Sequence, residues 1–136
     1  MPFVIDASVA LAWHFRDKSS EYADRVQERL RDGGVAAPSI WPLEVANALL
    51  VAERRGRLSP AEASHVAELI LEVPVSIHEA PAELALGPVL DLGRAQGLTA
   101  YDAAYLDLAM REGLPLATQD EALRAAARRV GVPLVD

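Results

Sequence analysis

Short apolar runs alternate along the chain with longer segments in which apolar residues recur every three to four positions. The longer segments predict helices over residues 8–15, 19–31, 40–55, 59–72, 80–96, 99–112 and 120–130. The short runs lie at residues 3–5, 35–37, 75–77, 114–117 and 133–135. Each run is short and apolar rather than alternating, which is typical of strands buried on both faces of a parallel sheet. The pattern therefore predicts an α/β fold.

Length and composition narrow the class of protein. A length of 136 residues predicts one domain over residues 1–136, and a hydrophobic share of 51% is enough to give it a core. The absence of cysteine excludes disulfides, thiol catalysis and thiolate zinc sites. The longest uncharged run, over residues 33–43, is too short to span a membrane, and no basic leader precedes Phe3. We therefore expect a cytoplasmic protein with no membrane association.

Two carboxylates directly follow predicted strands. Asp6 ends the first apolar run, and Asp120 comes three residues after the fourth. Ligands in α/β proteins commonly bind at this end of the strands. Each acid is also explained as an N-cap, because its side chain can accept a hydrogen bond from the first turn of the next helix. The spacing leaves both interpretations open.

Two further carboxylates lie on predicted helices. Within residues 41–52 the only carboxylate or amide side chains are Glu44 and Asn47, three residues apart on one helix face. Because this helix is apolar nearly all round, we expect it to be buried, with both side chains projecting into the interior, where an unpaired charge is costly. Asp102 follows Thr99 at the spacing of a variant capping box. Glu44 thus favours a functional role, whereas Asp102 alone favours capping.

A parallel sheet can gather all four acids at one end, which capping does not predict. Carboxylates within several ångströms of one another repel and raise each other's pKa values unless a divalent cation neutralises them. An all-oxygen site suits Mg²⁺ or Mn²⁺, and such an ion supports phosphodiester hydrolysis. The ion would also offset locally the net charge of −7, from 13 basic and 20 acidic residues, which by itself repels a polyanion.

Four segments, taken in order, resemble a known family. They are Val4-Ile5-Asp6-Ala7-Ser8, PLEVANALL with Glu44 and Asn47, LTAYDAAYLDLA with Asp102, and LATQD with Asp120. Together they resemble the PIN domain and, more narrowly, the VapC-type toxin ribonucleases of toxin–antitoxin pairs, from residue 4 to about residue 135. The resemblance implies a three-layer fold with a five-stranded parallel sheet between helices. It also implies a Mg²⁺- or Mn²⁺-dependent endoribonuclease with an RNA substrate, a cognate VapB-type antitoxin and a homodimeric state.

The resemblance further implies a quartet of catalytic, metal-binding acids and three supporting side chains. The quartet consists of Asp6, Glu44, Asp102 and Asp120. The supporting hydroxyl and amide side chains are Ser8, Asn47 and Thr118. In this assignment Asp6, Glu44 and Asp102 bind the metal directly, and Asp120 binds it directly or through water.

Other residues and functions are weaker candidates. Asp107, on the same predicted helix as Asp102, is expected to face solvent or a partner subunit. An aspartyl phosphoryl-transfer domain would need a second acid where Ser8 stands, or a lysine near a late strand, whereas the only lysine is Lys18. A non-catalytic module that binds a partner protein and keeps the acids as caps is the other alternative.

Overall fold

The computed structural model describes residues 2–15 and 20–136, except for the side chain of residue 32. Lys18 and the predicted helix start at residue 19 lie outside the described residues. The strands within them are β1 (Phe3–Ile5), β2 (Val35–Pro38), β3 (Val75–His78) and β4 (Leu116–Ala117). The helices are α1 (Ala7–Ala12), α2 (Glu21–Arg29), α3 (Trp41–Arg54), α4 (Pro60–Leu71), α5 (Ala82–Leu84), α6 (Leu90–Gln96), α7 (Ala100–Glu112) and α8 (Glu121–Val130).

All strand pairs are parallel, in the order β3-β2-β1-β4. Val4 pairs with Ala36 on one side and with Leu116 on the other, so β1 lies inside the sheet. Strands β1, β2 and β4 are buried throughout, and α7 packs against β1 and β2. The predicted α/β fold with a parallel sheet and flanking helices is confirmed.

Two expectations about the strands are wrong. The run at residues 133–135 does not form a fifth strand, because only Leu134 pairs, as an isolated parallel bridge with Leu116. Strand β3 is not buried on both faces, since Ser76 and Ile77 are exposed. This strand lies at the edge of the sheet and pairs only with β2, whereas β1 and β2 each have a strand on both sides. A short apolar run does not reveal whether it will be central or peripheral.

The predicted helices are present, with ends shifted by a few residues. Helix α4 begins with a capping box, in which the Ser59 and Glu62 side chains each accept a hydrogen bond from the other residue's amide. The segment predicted over residues 80–96 contains a π-helical turn at Ala85–Val89. Pro88 lies inside this turn. Because proline has no amide proton to donate, it interrupts the regular α-helical hydrogen-bond pattern.

The connections place helix N-termini at one edge of the sheet. Helix α1 starts two residues after β1 ends, and α8 starts four residues after β4 ends. Because all strands are parallel, their carboxyl ends meet at this edge. Every helix within residues 2–15 and 20–136 is too short or too polar to cross a membrane.

Candidate active site

Asp6 lies where β1 ends and α1 begins. Its carboxylate caps α1 by accepting a hydrogen bond from the Val9 amide at 3.0 Å. The Ser8 hydroxyl donates to the same oxygen, Oδ1, at 2.8 Å, and the Thr118 hydroxyl donates to Oδ2. Asp6 is only 7% exposed. Burial raises its pKa, the three hydrogen bonds oppose this increase, and the charge of Asp102 adds to it.

Thr118 connects Asp6 to the last acid of the quartet. It follows β4 and is fully buried, and its hydroxyl accepts a hydrogen bond from the Asp120 amide at 3.1 Å while donating to Asp6. Asp120 is exposed and caps α8 by accepting a hydrogen bond from the Ala122 amide at 2.9 Å. Both acids that follow strands are therefore N-caps. Capping occupies one oxygen of each carboxylate and so does not exclude a second role.

Glu44 lies in the first turn of α3 and accepts a hydrogen bond from a helix far along the chain. The Tyr105 hydroxyl, on α7, donates a hydrogen bond to Glu44 Oε1 at 2.5 Å. Tyr105 is buried, with 1% of its surface exposed, whereas Glu44 is half-buried. Burial raises the pKa of Tyr105, and its hydrogen bond to Glu44 raises it further. Both effects favour the protonated hydroxyl, which is the form that donates to the carboxylate.

Asp102 lies in the first turn of α7. Its amide donates to the side chain of Thr99, the N-cap of this helix, at 3.1 Å, so half of the predicted capping box forms. Its carboxylate makes no hydrogen bond to any residue in the described part of the chain. Burial raises the pKa of Asp102, and the charges of Asp120 and Glu44 raise it further.

The four acids share one electrostatic environment. The charge of Asp102 raises the pKa of Asp6, and the charges of the other two acids raise that of Asp102. The donor set is entirely oxygen, and its mutual repulsion suits a hard divalent cation. As the side chains stand, no three aspartate, glutamate or histidine residues within residues 2–15 and 20–136 are close enough together to hold a metal ion. The metal-ligand assignment therefore stays a prediction.

Comparison with known proteins identifies the fold. The PIN domain family model matches residues 3–129. The chain belongs to the PIN-domain family. Ribonuclease VapC3 of Pyrobaculum aerophilum is 32% identical to it over 123 residues, covering 90% of this chain and 92% of the relative. Exonuclease VapC9 of the same organism is 32% identical over 128 residues, covering 93% and 86%.

Solved structures agree with this assignment. The crystal structure of PAE2754 from Pyrobaculum aerophilum superposes with a TM-score of 0.71 at 30% identity, covering 93% of this PIN-domain chain and 79% of that one. VapBC2 from Rickettsia felis, crystallised with a DNA fragment from its promoter, gives a TM-score of 0.68 at 13% identity, covering 99% and 98%. The second likeness concerns the fold alone. The resemblance to VapC-type PIN domains is confirmed.

The PIN-domain helix α3 is less buried than its composition predicts. Only four of its residues are buried, namely Trp41, Val45, Leu49 and Ala52. Leu43 is 67% exposed and Leu50 is 46% exposed. The expectation of a buried helix is wrong because an apolar helix face fits an exposed interaction surface as well as it fits a core.

Asn47 does not project into the interior. It is exposed and lines, together with Glu44, an open groove of about 400 Å³ between α3 and the start of α7. The other residues of this groove are Ile40, Leu43, Ala48 and Tyr101. The two polar residues of α3 therefore share a face, as predicted, but that face borders a groove. Asn47 makes no hydrogen bond to another side chain in the described part of the chain.

The expectation that Asp107 faces solvent or a partner subunit is wrong. Asp107 is 6% exposed rather than facing solvent, and it accepts a hydrogen bond from Arg111 Nε at 2.7 Å. The arginine, one helical turn later, pairs with the charge and allows it to be buried. Asp102 and Asp107 are five residues apart, so their side chains point about 140° apart around α7.

Sequence reasoning missed two residues beside the quartet. Tyr105 contacts Glu44, and its signal was available, because it comes three residues after Asp102 and therefore shares its helix face. Arg124 donates from Nη1 to the Thr118 carbonyl at 2.8 Å, and its guanidinium lies 5.2 Å from the centre of the Tyr22 ring. The sequence did not indicate this position for the arginine, because Tyr22 lies about a hundred residues earlier in the chain and only the fold brings the two together.

Proposed function

We propose that this chain is a metal-dependent endoribonuclease and the toxin of a VapB–VapC type pair. The observation that carries the proposal is the electrostatic coupling of four acids from four separate segments beside the carboxyl edge of a PIN-domain sheet. Capping alone does not require the acids to affect one another. The relative VapC3, at 32% identity, is named as a ribonuclease.

Asp6, Glu44 and Asp102 would hold Mg²⁺ or Mn²⁺, with Asp120 binding directly or through water. Such an ion supplies an activated water and offsets the charge of the phosphoryl group. The chain itself orients the ligands, since Thr118 and Ser8 fix Asp6. A cation held there would also offset the repulsion that raises the pKa values of Asp6 and Asp102.

The proposed reaction is hydrolysis of an RNA phosphodiester. The oxygen of water bonds to phosphorus, the bond from phosphorus to the 3′-oxygen breaks, and the 3′-oxygen takes up a proton. The products are a 5′-phosphate and a 3′-hydroxyl, because the ribose 2′-hydroxyl takes no part. Cyclic phosphate ends would contradict this route.

A closed circular RNA tests the proposal. We expect the purified protein to linearise the circle in Mg²⁺ or Mn²⁺, to leave 5′-phosphate ends, and to do nothing in excess chelator. Degradation of linear RNA with the circle intact would indicate an exonuclease, the activity named for the relative VapC9. Metal binding without cleavage of either RNA would favour the non-catalytic protein-binding module.

We also propose a VapB-type antitoxin as partner. The solved complex of VapBC2 has this fold, which supports such a pairing. We expect an antitoxin peptide to bind across the helices near the acids and to place a cation or an apolar anchor there. Titration calorimetry with the product of the neighbouring gene tests this. Absence of binding, or binding that leaves cleavage unchanged, would contradict the toxin assignment and not the nuclease activity.

Self-association is the last part of the proposal. The exposed leucines of α3, Leu43 and Leu50, form an apolar surface of the kind that marks an interface. We expect a homodimer in sedimentation analysis and a monomer for Leu50→Asp. Leu71→Asp is the matched control, because Leu71 is 83% exposed on the neighbouring helix α4. If Leu71→Asp dissociates the dimer and Leu50→Asp does not, the interface lies away from the exposed leucines of α3.

A further inference from the structure

Tyr105 differs from the other hydrogen-bond partners of the four acids. It is buried at 1% exposure, yet its hydroxyl reaches a half-buried carboxylate 61 residues earlier in the chain, at 2.5 Å. It is the one side chain that hydrogen-bonds Glu44 among the residues that the structure describes. A tyrosine in a purely packing role would not need this partner, and a phenylalanine would fill the same space.

The acids differ in how many groups hold them. Asp6 accepts hydrogen bonds from two hydroxyls and an amide, and Asp120 accepts one from its own helix. Glu44 has a longer side chain with more rotatable bonds, so it loses more rotamer freedom when it is fixed. Its single contact with Tyr105 therefore decides where its carboxylate lies.

The position of the tyrosine hydroxyl is set by the core. Helix α7 packs against β1 and β2, and the neighbours Leu106 and Leu108 are fully buried. Tyr105 lies one helical turn after Asp102 on the same face. Helix α7 thus supplies one acid, Asp102, and through Tyr105 the hydrogen-bond donor to the acid of α3.

We propose that Tyr105 is a positioning residue for Glu44, fixing through Oε1 the carboxylate that would help to hold a divalent cation. The inference rests on the proposed function, because it assigns Glu44 to the metal. The tyrosine touches neither metal nor RNA in this account and acts only through the glutamate.

The test compares Tyr105→Phe, Glu44→Gln and the double variant by titration calorimetry with Mn²⁺ and by cleavage of RNA. Loss of an outer partner of a metal ligand typically weakens metal binding by about 10-fold, and we expect this for Tyr105→Phe. In the Glu44→Gln background the same change should alter Mn²⁺ affinity by less than about 2-fold, because the group it positions has gone. A merely structural tyrosine would give equal effects in both backgrounds, and that result would overturn the inference.

Tyr22→Phe is the matched control. It removes another phenolic hydroxyl, one that donates no hydrogen bond to any of the four acids in the described part of the chain. We expect unchanged Mn²⁺ affinity. Circular dichroism and melting temperature report whether each variant folds. If Tyr105→Phe fails to fold, Glu44→Asp replaces it, since the shorter acid keeps the charge and loses the contact, and an affinity equal to wild type would overturn the inference.

Failure of the inference and failure of the proposed function are distinguishable. If wild type binds Mn²⁺ and cuts RNA while Tyr105→Phe matches it, only the positioning role is overturned. If wild type binds no Mn²⁺, the proposed function falls and the inference falls with it.

Discussion

The candidate site has two halves that are built in different ways. The strand half comprises Asp6, Ser8, Thr118 and Asp120, which follow the adjacent strands β1 and β4. The helix half comprises Glu44, Asp102 and Tyr105, which lie on α3 and α7. Hydrogen bonds within two or three residues, plus one contact between neighbouring strands, hold the strand half together. The helix half depends on a contact between residues 61 positions apart.

The two halves differ in how far hydrogen bonds already stabilise their ionised carboxylates. Three donors already stabilise the ionised form of Asp6 against its burial. Asp102 has no such donor in the described residues, and the charges of Asp120 and Glu44 oppose its ionisation. The strand half is therefore largely preformed, whereas the helix half relies on an added positive charge.

The largest expected effect is that of Asp102→Asn. It should lower RNA cleavage by at least about 100-fold, because it removes a charged metal ligand. Asp107→Asn on the same helix is the control and should change cleavage by less than about 3-fold. Because Asp107 is buried against Arg111, the control should lose about 1–3 kcal/mol of unfolding free energy, measured by denaturant titration. A larger activity loss for Asp107→Asn would mean that the wrong face of α7 has been assigned.

A second comparison lies within the strand half. Thr118→Val keeps the shape of a buried side chain and removes the hydroxyl that joins Asp6 to the Asp120 amide. We expect a loss of about 10-fold in cleavage, as for other groups that orient a metal ligand. Ser8→Ala removes a more exposed hydroxyl from the same carboxylate and should cost less, about 3-fold. Equal losses would contradict the larger role in orienting Asp6 that we assign to Thr118 than to Ser8.

Metal should stabilise the fold. With free Mg²⁺ at about 100 times its Kd, the expected gain in unfolding free energy is about 2.7 kcal/mol, seen as a higher melting temperature. Asp6→Asn should weaken this response. In metal-free buffer the same variant should be neutral or stabilising, because asparagine can still cap α1 and no longer repels Asp102. A clear loss of stability without metal would indicate that Asp6 serves mainly as a cap.

The smallest effect concerns pH. The pKa of Asp6 and that of Asp102 are both raised above 3.8 in the folded chain. Their contribution to stability is therefore fully present below pH 3.8 and is lost as pH rises through the folded-state pKa values. In metal-free buffer, Asp102→Asn should flatten this part of the stability profile, measured by urea unfolding at each pH. An unchanged profile would contradict the coupling between the acids.

The strand half was predictable from the sequence because its chemistry is local. An acid at the end of an apolar run predicts both a cap and a position at the sheet edge, and both occur for Asp6 and Asp120. The parallel sheet was predictable for the same reason. The peripheral place of β3 and the single-residue pairing of Leu134 were not, since they depend on which strands become neighbours.

The helix half was predictable only in part. The glutamate in an apolar helix pointed to function, but only one face of that helix is buried, and Leu43 and Leu50 lie on an exposed surface. Helical spacing places Tyr105 on the same face of α7 as Asp102. The contact between Tyr105 and Glu44, however, depends on how α7 packs relative to α3. Asp107 is buried, against the prediction, because Arg111 one helical turn later pairs with its charge.

Diffraction from crystals grown with Mn²⁺, recorded at the manganese absorption edge, tests the central claim most directly. We predict an anomalous peak within bonding distance of carboxylate oxygens from both halves, including those of Asp6, Glu44 and Asp102. A peak bound by one half alone, or located elsewhere while the same preparation cleaves RNA, would contradict the claim that the two halves form one metal-dependent site.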